Sequence, residues 1–147
     1  RIRQQQETLK TKSFKALKGQ LPWPAEGRII SKFGRQWNPK LKTTTENPGI
    51  DIKGKPGSSI RTVLGGVVTT ITYIRGYGTT IIVDHGGGFY TVYSHVTNIQ
   101  TNVDSQVRNG DVIAYMGDSG SVNGSKLHFE IWGKGQKLDP ERWLRKK

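Results

Sequence analysis

The chain has 147 residues, no cysteine and a formal net charge of +12. This length suits one domain with a hydrophobic core, while the lack of cysteine excludes a disulfide framework and thiolate metal ligands. No apolar run is long enough to span a membrane and no signal peptide is present, so we expect a fragment or a mature product. The charge favours anionic partners, but no basic recognition helix or other nucleic-acid motif accompanies it, which argues against nucleic acid.

The first twenty residues are polar and basic, with a weak helical stripe of apolar side chains at Ile2, Leu9, Phe14 and Leu17. Residues 1–20 are therefore predicted to be either the end of an upstream coiled coil or a linker, with a disordered basic arm as the alternative. The segment Leu21-Pro22-Trp23-Pro24 marks a boundary, because two prolines around a tryptophan forbid helix and favour extended backbone. We expect one folded domain over residues 21–147, with Trp23 docked into its core.

Short β-branched runs separated by glycine-rich turns fill most of this domain, which predicts an all-β sandwich or barrel. The predicted strands are residues 27–34, 50–53, 60–63, 67–74, 79–84, 89–95, 112–116 and 125–132. Near the end, Asp139 as N-cap and Pro140 at the first position predict one helical turn over residues 139–144.

Residues 35–47 show no hydrophobic periodicity and contain three consecutive threonines, so we predict a surface loop here. Trp37 lies in this polar setting. Its two interpretations, contact with a partner or packing beneath the loop, are equally compatible with the sequence.

The strand Ser125–Trp132 is the best candidate for a site. Period-two alternation places Lys126, His128 and Glu130 on one face and the apolar residues Leu127, Phe129 and Ile131 on the other. A cation, an imidazole and a carboxylate in one row indicate a functional site, although an ordinary solvated face is the simpler alternative.

Two further segments carry chemistry. Asp51 follows the turn Asn47-Pro48-Gly49, and His95 ends the strand Tyr90-Thr91-Val92-Tyr93-Ser94. Together with His128 these segments resemble the LytM or lysostaphin-type domain, a family of zinc endopeptidases that cut peptidoglycan cross-links. Its pattern is H-x-x-x-D, a histidine after a tyrosine-containing strand, and H-x-H on a late strand. The resemblance implies an antiparallel β-sandwich of the duplicated hybrid motif type, with long loops around a groove and a short helical or disordered N-terminal segment.

The match to the family pattern is degenerate. Asp51 and His128 stand at two zinc-ligand positions and His95 at the lone histidine, but Asn47 replaces the first ligand and Lys126 replaces the first histidine of H-x-H. A neutral amide is a poor zinc ligand, so the resemblance implies no cofactor and no catalysis. We predict instead that Lys126 lies at salt-bridge distance from Asp51.

Two other residues lie near this pattern in the sequence. His85, which follows Asp84 at a strand end, is predicted to be a turn residue and not a third ligand. Glu130 shares the strand face of His128 and is placed to orient the imidazole.

Degenerate domains of this family resemble the murein hydrolase activators of the EnvC and NlpD type. That resemblance implies a periplasmic, envelope-associated protein that binds a zinc-containing peptidoglycan amidase at cell division and displaces its autoinhibitory helix. Peptidoglycan, or an inner-membrane division complex reached through the upstream coiled coil, would be a further partner. The helix would bind in the former substrate groove, whose expected lining is Pro48, Asp51, Tyr77, Tyr93, His95, Lys126, His128 and Trp132.

Two other functions remain open at this point. An active endopeptidase would use Asp51, His95 and His128 as an irregular metal set. A non-catalytic scaffold would bind wall polymer or an envelope complex. Copurification of zinc separates the endopeptidase from the other two, and activation of an amidase separates the activator from the scaffold.

Overall fold

The computed structural model describes residues 14–118, 121 and 124–147, and its architecture confirms the all-β prediction. The main sheet is antiparallel and has eight strands. These are β1 (Arg28–Ser31), β4 (Ile50–Lys53), β6 (Gly66–Ile74), β7 (Gly78–Gly86), β8 (Phe89–Ser94), β10 (Gln106–Val107), β12 (Lys126–Gly133) and β13 (Gln136–Leu138). Their spatial order is β1-β4-β12-β8-β7-β6-β10, and β13 pairs with β12.

Two smaller antiparallel sheets and two short helical segments, residues 14–16 and a C-terminal helix, complete the described architecture. The first contains β5 (Ser59–Arg61), β9 (Val96–Thr97) and β11 (Val112–Met116); the second contains β2 (Gly34–Asn38) and β3 (Thr43–Asn47). The helix α1 (Pro140–Trp143) begins as predicted, with the Asp139 carboxylate accepting from the Glu141 amide at 3.0 Å. None of the helices in the described ranges is long and apolar enough to cross a membrane.

The segment predicted to be a surface loop, residues 35–47, is a β-hairpin, so that prediction was wrong. Strand β2 pairs with β3 in unbroken register from Gly34–Asn47 to Asn38–Thr43. Nearly every side chain of the hairpin faces solvent, so no apolar alternation reveals it, although threonine favours extended backbone. Trp37 is 61% exposed and does not pack beneath the hairpin.

The core lies on the apolar face of the main sheet. Leu127, Phe129 and Ile131 are fully buried, as the alternation in this strand predicts. Other fully buried apolar side chains include Ile50, Ile52, Ile60, Val68, Ile81, Val83, Tyr93, Ile113 and Ala114. Trp23 is partly buried against this core, and its indole N–H donates to the Arg145 carbonyl at 2.7 Å.

Residues that precede the expected boundary at residue 20 also contribute to this core. Phe14 has no exposed surface, and its ring stacks on that of Phe89 at 4.7 Å and contacts that of Trp143 at 5.3 Å. Residues 14–16 are helical, and the Gly19 amide donates to the Trp143 carbonyl at 2.9 Å. The predicted helical residues Ile2 and Leu9 lie outside the described residues, and an upstream coiled coil stays a prediction.

His85 is a strand residue, so its prediction as a turn residue was wrong. It is buried in β7, and the turn comes after it because Gly86, Gly87 and Gly88 all have positive φ. Its Nδ1–H donates to the Gly65 carbonyl at 2.9 Å, and its Nε2 accepts from the Thr91 hydroxyl at 2.7 Å. Burial lowers the pKa of His85 to about 4, so the buried imidazole is neutral at physiological pH.

This histidine should make the protein less stable as the pH falls from 6.5 towards 4. In that interval the unfolded chain binds a proton that the native imidazole does not, so stability decreases, by about 3 kcal/mol in total. We expect the stability difference between the wild type and His85→Gln to shrink by that amount between pH 7 and pH 4 in urea denaturation. A difference that stays constant across this interval would show that His85 titrates normally in the native state.

Candidate functional site

A groove of about 360 Å³ opens over strands β4 and β12 of the main sheet. Antiparallel pairing places His128 directly between Asp51 on β4 and Ser94 on β8. The base of the β2–β3 hairpin forms one wall, and the β6–β7 turn forms another. The lining residues are Ser31, Thr45, Glu46, Asn47, Pro48, Asp51, Gly76, Tyr77, His95, Lys126 and His128.

The turn before β4 sets the position of Asp51. A Cβ atom on Gly49 would lie 2.1 Å from the Phe129 carbonyl oxygen, so only glycine allows the chain to approach β12 this closely. The Asn47 side chain stabilises the turn, because its oxygen accepts from the Gly49 amide at 3.0 Å and its nitrogen donates to the Ser31 hydroxyl at 2.9 Å.

Two carboxylates hold the His128 imidazole. Nδ1 lies 2.6 Å from Asp51 Oδ1, and Nε2 lies 2.7 Å from Glu130 Oε2. Burial alone would lower the pKa of His128, but hydrogen bonds and charges from both carboxylates outweigh burial and raise it. Since ionised carboxylates only accept, both ring nitrogens donate and His128 is an imidazolium.

The charged network extends in both directions from His128. Lys126 Nζ lies 3.1 Å from Asp51 Oδ2, which confirms the predicted salt bridge. On the other side, the Trp132 indole donates to Glu130 Oε1 at 2.7 Å and Lys137 Nζ lies 3.6 Å from the same oxygen. Burial raises the pKa of Asp51 and of Glu130, but hydrogen bonds and nearby positive charges more than offset it and hold both pKa values below their usual range.

Tyr77 and His95 cover one side of this network. The Tyr77 ring lies 4.8 Å from the His128 ring, and burial together with the negative charges of Glu130 and Asp51 raises the pKa of its hydroxyl. His95 is buried with φ of 65°, and its amide donates to the Tyr77 carbonyl at 2.8 Å. A histidine in the left-handed region is uncommon and marks a backbone position held by its surroundings, as is frequent at functional sites.

Residues 45–140 match the profile of Peptidase family M23. The chain belongs to this family. It is 32% identical over 135 residues to the murein hydrolase activator EnvC of Escherichia coli (strain K12), covering 92% of this chain and 31% of EnvC. It is 37% identical over 123 residues to the murein hydrolase activator NlpD of the same strain, covering 83% of this chain and 30% of NlpD. The chain thus spans about a third of the length of these relatives.

A solved structure has a similar fold. A zinc-containing peptidase from Vibrio cholerae superposes with a TM-score of 0.77 at 21% identity, covering 88% of this chain and 41% of that one. The family, the fold and the likeness to murein hydrolase activators therefore confirm the resemblance drawn from the sequence.

The polar groups of this M23 domain do not fit a zinc ion at the family position. Both oxygens of Asp51 and both nitrogens of His128 are engaged by protein partners, and an imidazolium has no lone pair for a metal. The Asn47 amide is likewise occupied on both atoms. Within the described ranges, no three histidine or acidic side chains are grouped so that they could hold a metal.

Two residues expected in the groove lie elsewhere. Tyr93 pairs with Phe129 across β8 and β12, which puts it on the core face; it is fully buried and its hydroxyl lies 2.8 Å from Thr91 Oγ1. Trp132 lies on the site face of β12 but four residues beyond His128, in a separate depression beside Tyr90. Tyr93 shares its strand face with Thr91 and not with Ser94, the register partner of His128, so its side chain faces the core, and its predicted position in the groove was wrong.

The structure brings together the other six predicted lining residues: Pro48, Asp51, Tyr77, His95, Lys126 and His128. It adds Ser31, Thr45, Glu46 and Gly76, which sequence reasoning missed. Ser31 is the Cα partner of Asp51 across β1 and β4, a register that no local pattern reveals. Glu46 and Thr45 were assigned to a loop, so their position along a groove wall was not expected.

Proposed function

We propose that this M23 domain is a non-catalytic activator of a peptidoglycan amidase and that it binds the regulatory helix of that enzyme in the groove. The observation that carries the proposal is the closed charge network at the family's metal position. There Lys126 occupies one oxygen of Asp51 while His128 is saturated by Asp51 and Glu130. Relatives that are named murein hydrolase activators support the same conclusion.

Three features of the groove support the proposal that it binds a helix. Strands of the main sheet form its floor, and the base of the β2–β3 hairpin and the β6–β7 turn form its walls, around a volume of about 360 Å³. Tyr77 and Pro48 offer apolar surface next to the charged floor, and the salt-bridged side chains beneath them hold the floor in one arrangement. A preorganised groove of this kind loses little conformational entropy when a partner binds.

The setting of the protein follows from the same proposal. An activator of this type would act in the periplasm, associated with the cell envelope, and an upstream coiled coil would connect it to an inner-membrane division complex or to peptidoglycan. The positive net charge of +12 suits anionic envelope partners and does not require nucleic acid.

Dye release from labelled peptidoglycan sacculi tests the proposal directly. With zinc present, the chain alone should release no dye, and a cognate amidase from the same bacterium should release dye much faster when the chain is added. Release by the chain alone that a chelator abolishes would establish the endopeptidase instead. If the chain increases dye release by none of the zinc amidases of that bacterium, the scaffold function is favoured.

Tyr77→Ala should weaken activation specifically. Removal of an aromatic side chain that lines the groove is expected to raise the concentration for half-maximal activation by about tenfold or more. Tyr90→Ala is the matched control, because Tyr90 lies in the separate depression beside Trp132. Equal effects of the two substitutions would place the binding surface outside the groove.

A further inference from the structure

Three cationic residues lie side by side across three neighbouring strands at one end of the groove. Arg28 on β1 and Lys126 on β12 are both Cα partners of Lys53 on the intervening strand β4. Partners in antiparallel strands project to the same face, so this cationic row of Arg28, Lys53 and Lys126 shares the face of Asp51 and His128.

The cationic row is only partly neutralised within the domain. Lys126 is bound to Asp51, but Arg28 and Lys53 are exposed and form no salt bridge with any residue in the described ranges. Like charges directly opposite each other on adjacent strands are destabilising. The domain therefore holds positive charge at this edge at the expense of its own stability, and an anionic partner would relieve the repulsion.

The spacing of the row matches a helix better than an irregular chain. Adjacent strands are about 4.8 Å apart, and side chains one turn apart on a helix are separated by about 5–6 Å. Two carboxylates at positions i and i+4 can thus face two neighbouring cations at once. Lys126 lines the groove, so a helix seated there would extend over Lys53 and Arg28.

We infer that the cationic row docks an acidic helix of the partner amidase, through two carboxylates one helical turn apart. This inference rests on the function proposed above. It makes Lys53 a residue that lowers the stability of the free domain and strengthens binding, a combination that a merely structural lysine would not show.

The stability of the free domain is the first measurement. Lys53→Gln removes the central charge while keeping the length of the side chain, so the melting temperature should rise by about 1–3 °C. Lys53→Arg should leave it unchanged. Arg108→Gln is the control for loss of one positive charge, because Arg108 follows β10 at the opposite end of the main sheet.

Amidase activation in the sacculus assay is the second measurement. Lys53→Gln should raise the concentration for half-maximal activation by about fivefold, while Lys53→Arg and Arg108→Gln leave it at the wild-type value. Lys53→Glu should weaken activation further, and changing one aspartate or glutamate of the amidase regulatory helix to lysine should restore it.

The outcomes separate this inference from the proposed function. Strong activation by the wild type that Lys53→Gln and Lys53→Glu leave unchanged would overturn the docking inference and leave the activator standing. A lower melting temperature for Lys53→Gln together with weaker activation would also overturn it, because Lys53 would then support the fold. If the wild type activates no amidase, both the proposed function and the docking inference are contradicted.

Discussion

Replacement of Phe14 by alanine is expected to lower the free energy of unfolding by about 3–5 kcal/mol. The ring has no exposed surface and lies against Phe89, His85 and Trp143. Alanine would remove most of the buried apolar area and leave a cavity among rigid aromatic neighbours that cannot collapse to fill it. Urea denaturation at pH 7 followed by tryptophan fluorescence measures the change.

The neighbouring residue provides the control for this prediction. Lys15 is exposed, so Lys15→Ala should change stability by no more than about 0.5 kcal/mol. Removal of residues 1–20, the segment expected to precede the domain, should destabilise at least as much as Phe14→Ala because it removes the same ring. A loss below about 1 kcal/mol for Phe14→Ala would show that the core closes without this side chain.

Replacement of Asp51 by alanine is expected to destabilise the domain by about 3 kcal/mol at pH 7. Asp51 accepts from both the Lys126 ammonium and the His128 imidazolium, and both of these groups are largely buried. Removal of one partner from a buried ion pair leaves an uncompensated charge in a poorly hydrated site, which usually costs several kcal/mol. Glu46→Ala is the control, since Glu46 lines the same groove but is exposed.

A double-mutant cycle and a titration show whether charge causes this loss. Lys126→Met in the Asp51→Ala background should recover part of the stability, since no unpaired ammonium then remains. Burial lowers the pKa of His128, whereas Asp51 is one of the two groups that raise it. The pKa of His128 measured by NMR should therefore fall in the Asp51→Ala variant. An unchanged His128 pKa and additive effects of the two substitutions would mean that the three side chains are not coupled.

Titration of His128 should also make the stability of the domain depend on pH. Its pKa is raised above the unfolded value of about 6.5, so its contribution is complete below that pH and is lost as the pH rises through the native pKa. At acidic pH the two carboxylates matter instead. The pKa values of Asp51 and Glu130 are lowered, so their contributions to stability are lost as the pH falls through those values. The network therefore stabilises the domain most between these two limits.

Local patterns in the sequence predicted the local parts of the site. Alternation in Ser125–Trp132 assigned both faces of β12, and the capping pair Asp139–Pro140 predicted the start of α1. The resemblance to a metalloenzyme pattern then indicated that Lys126 would face Asp51, and the two side chains form a salt bridge. These features depend on a few neighbouring residues or on a known motif, so they can be predicted without the tertiary structure.

Contacts between segments far apart in the sequence are revealed only by the tertiary structure. The register of β8 against β12 places the Tyr93 side chain on the core face, and the pairing of β1 with β4 places Arg28 next to Lys53. Phe14 entered the core although its own segment looks like a linker. The sequence by itself determined most strands of the main sheet and the apolar face of β12, since backbone sterics and side-chain alternation are local. It did not reveal the β2–β3 hairpin, whose side chains lack an apolar alternation. Only the tertiary structure decided strand register and the burial of remote residues, because these depend on the summed free energy of many contacts between segments far apart in the chain.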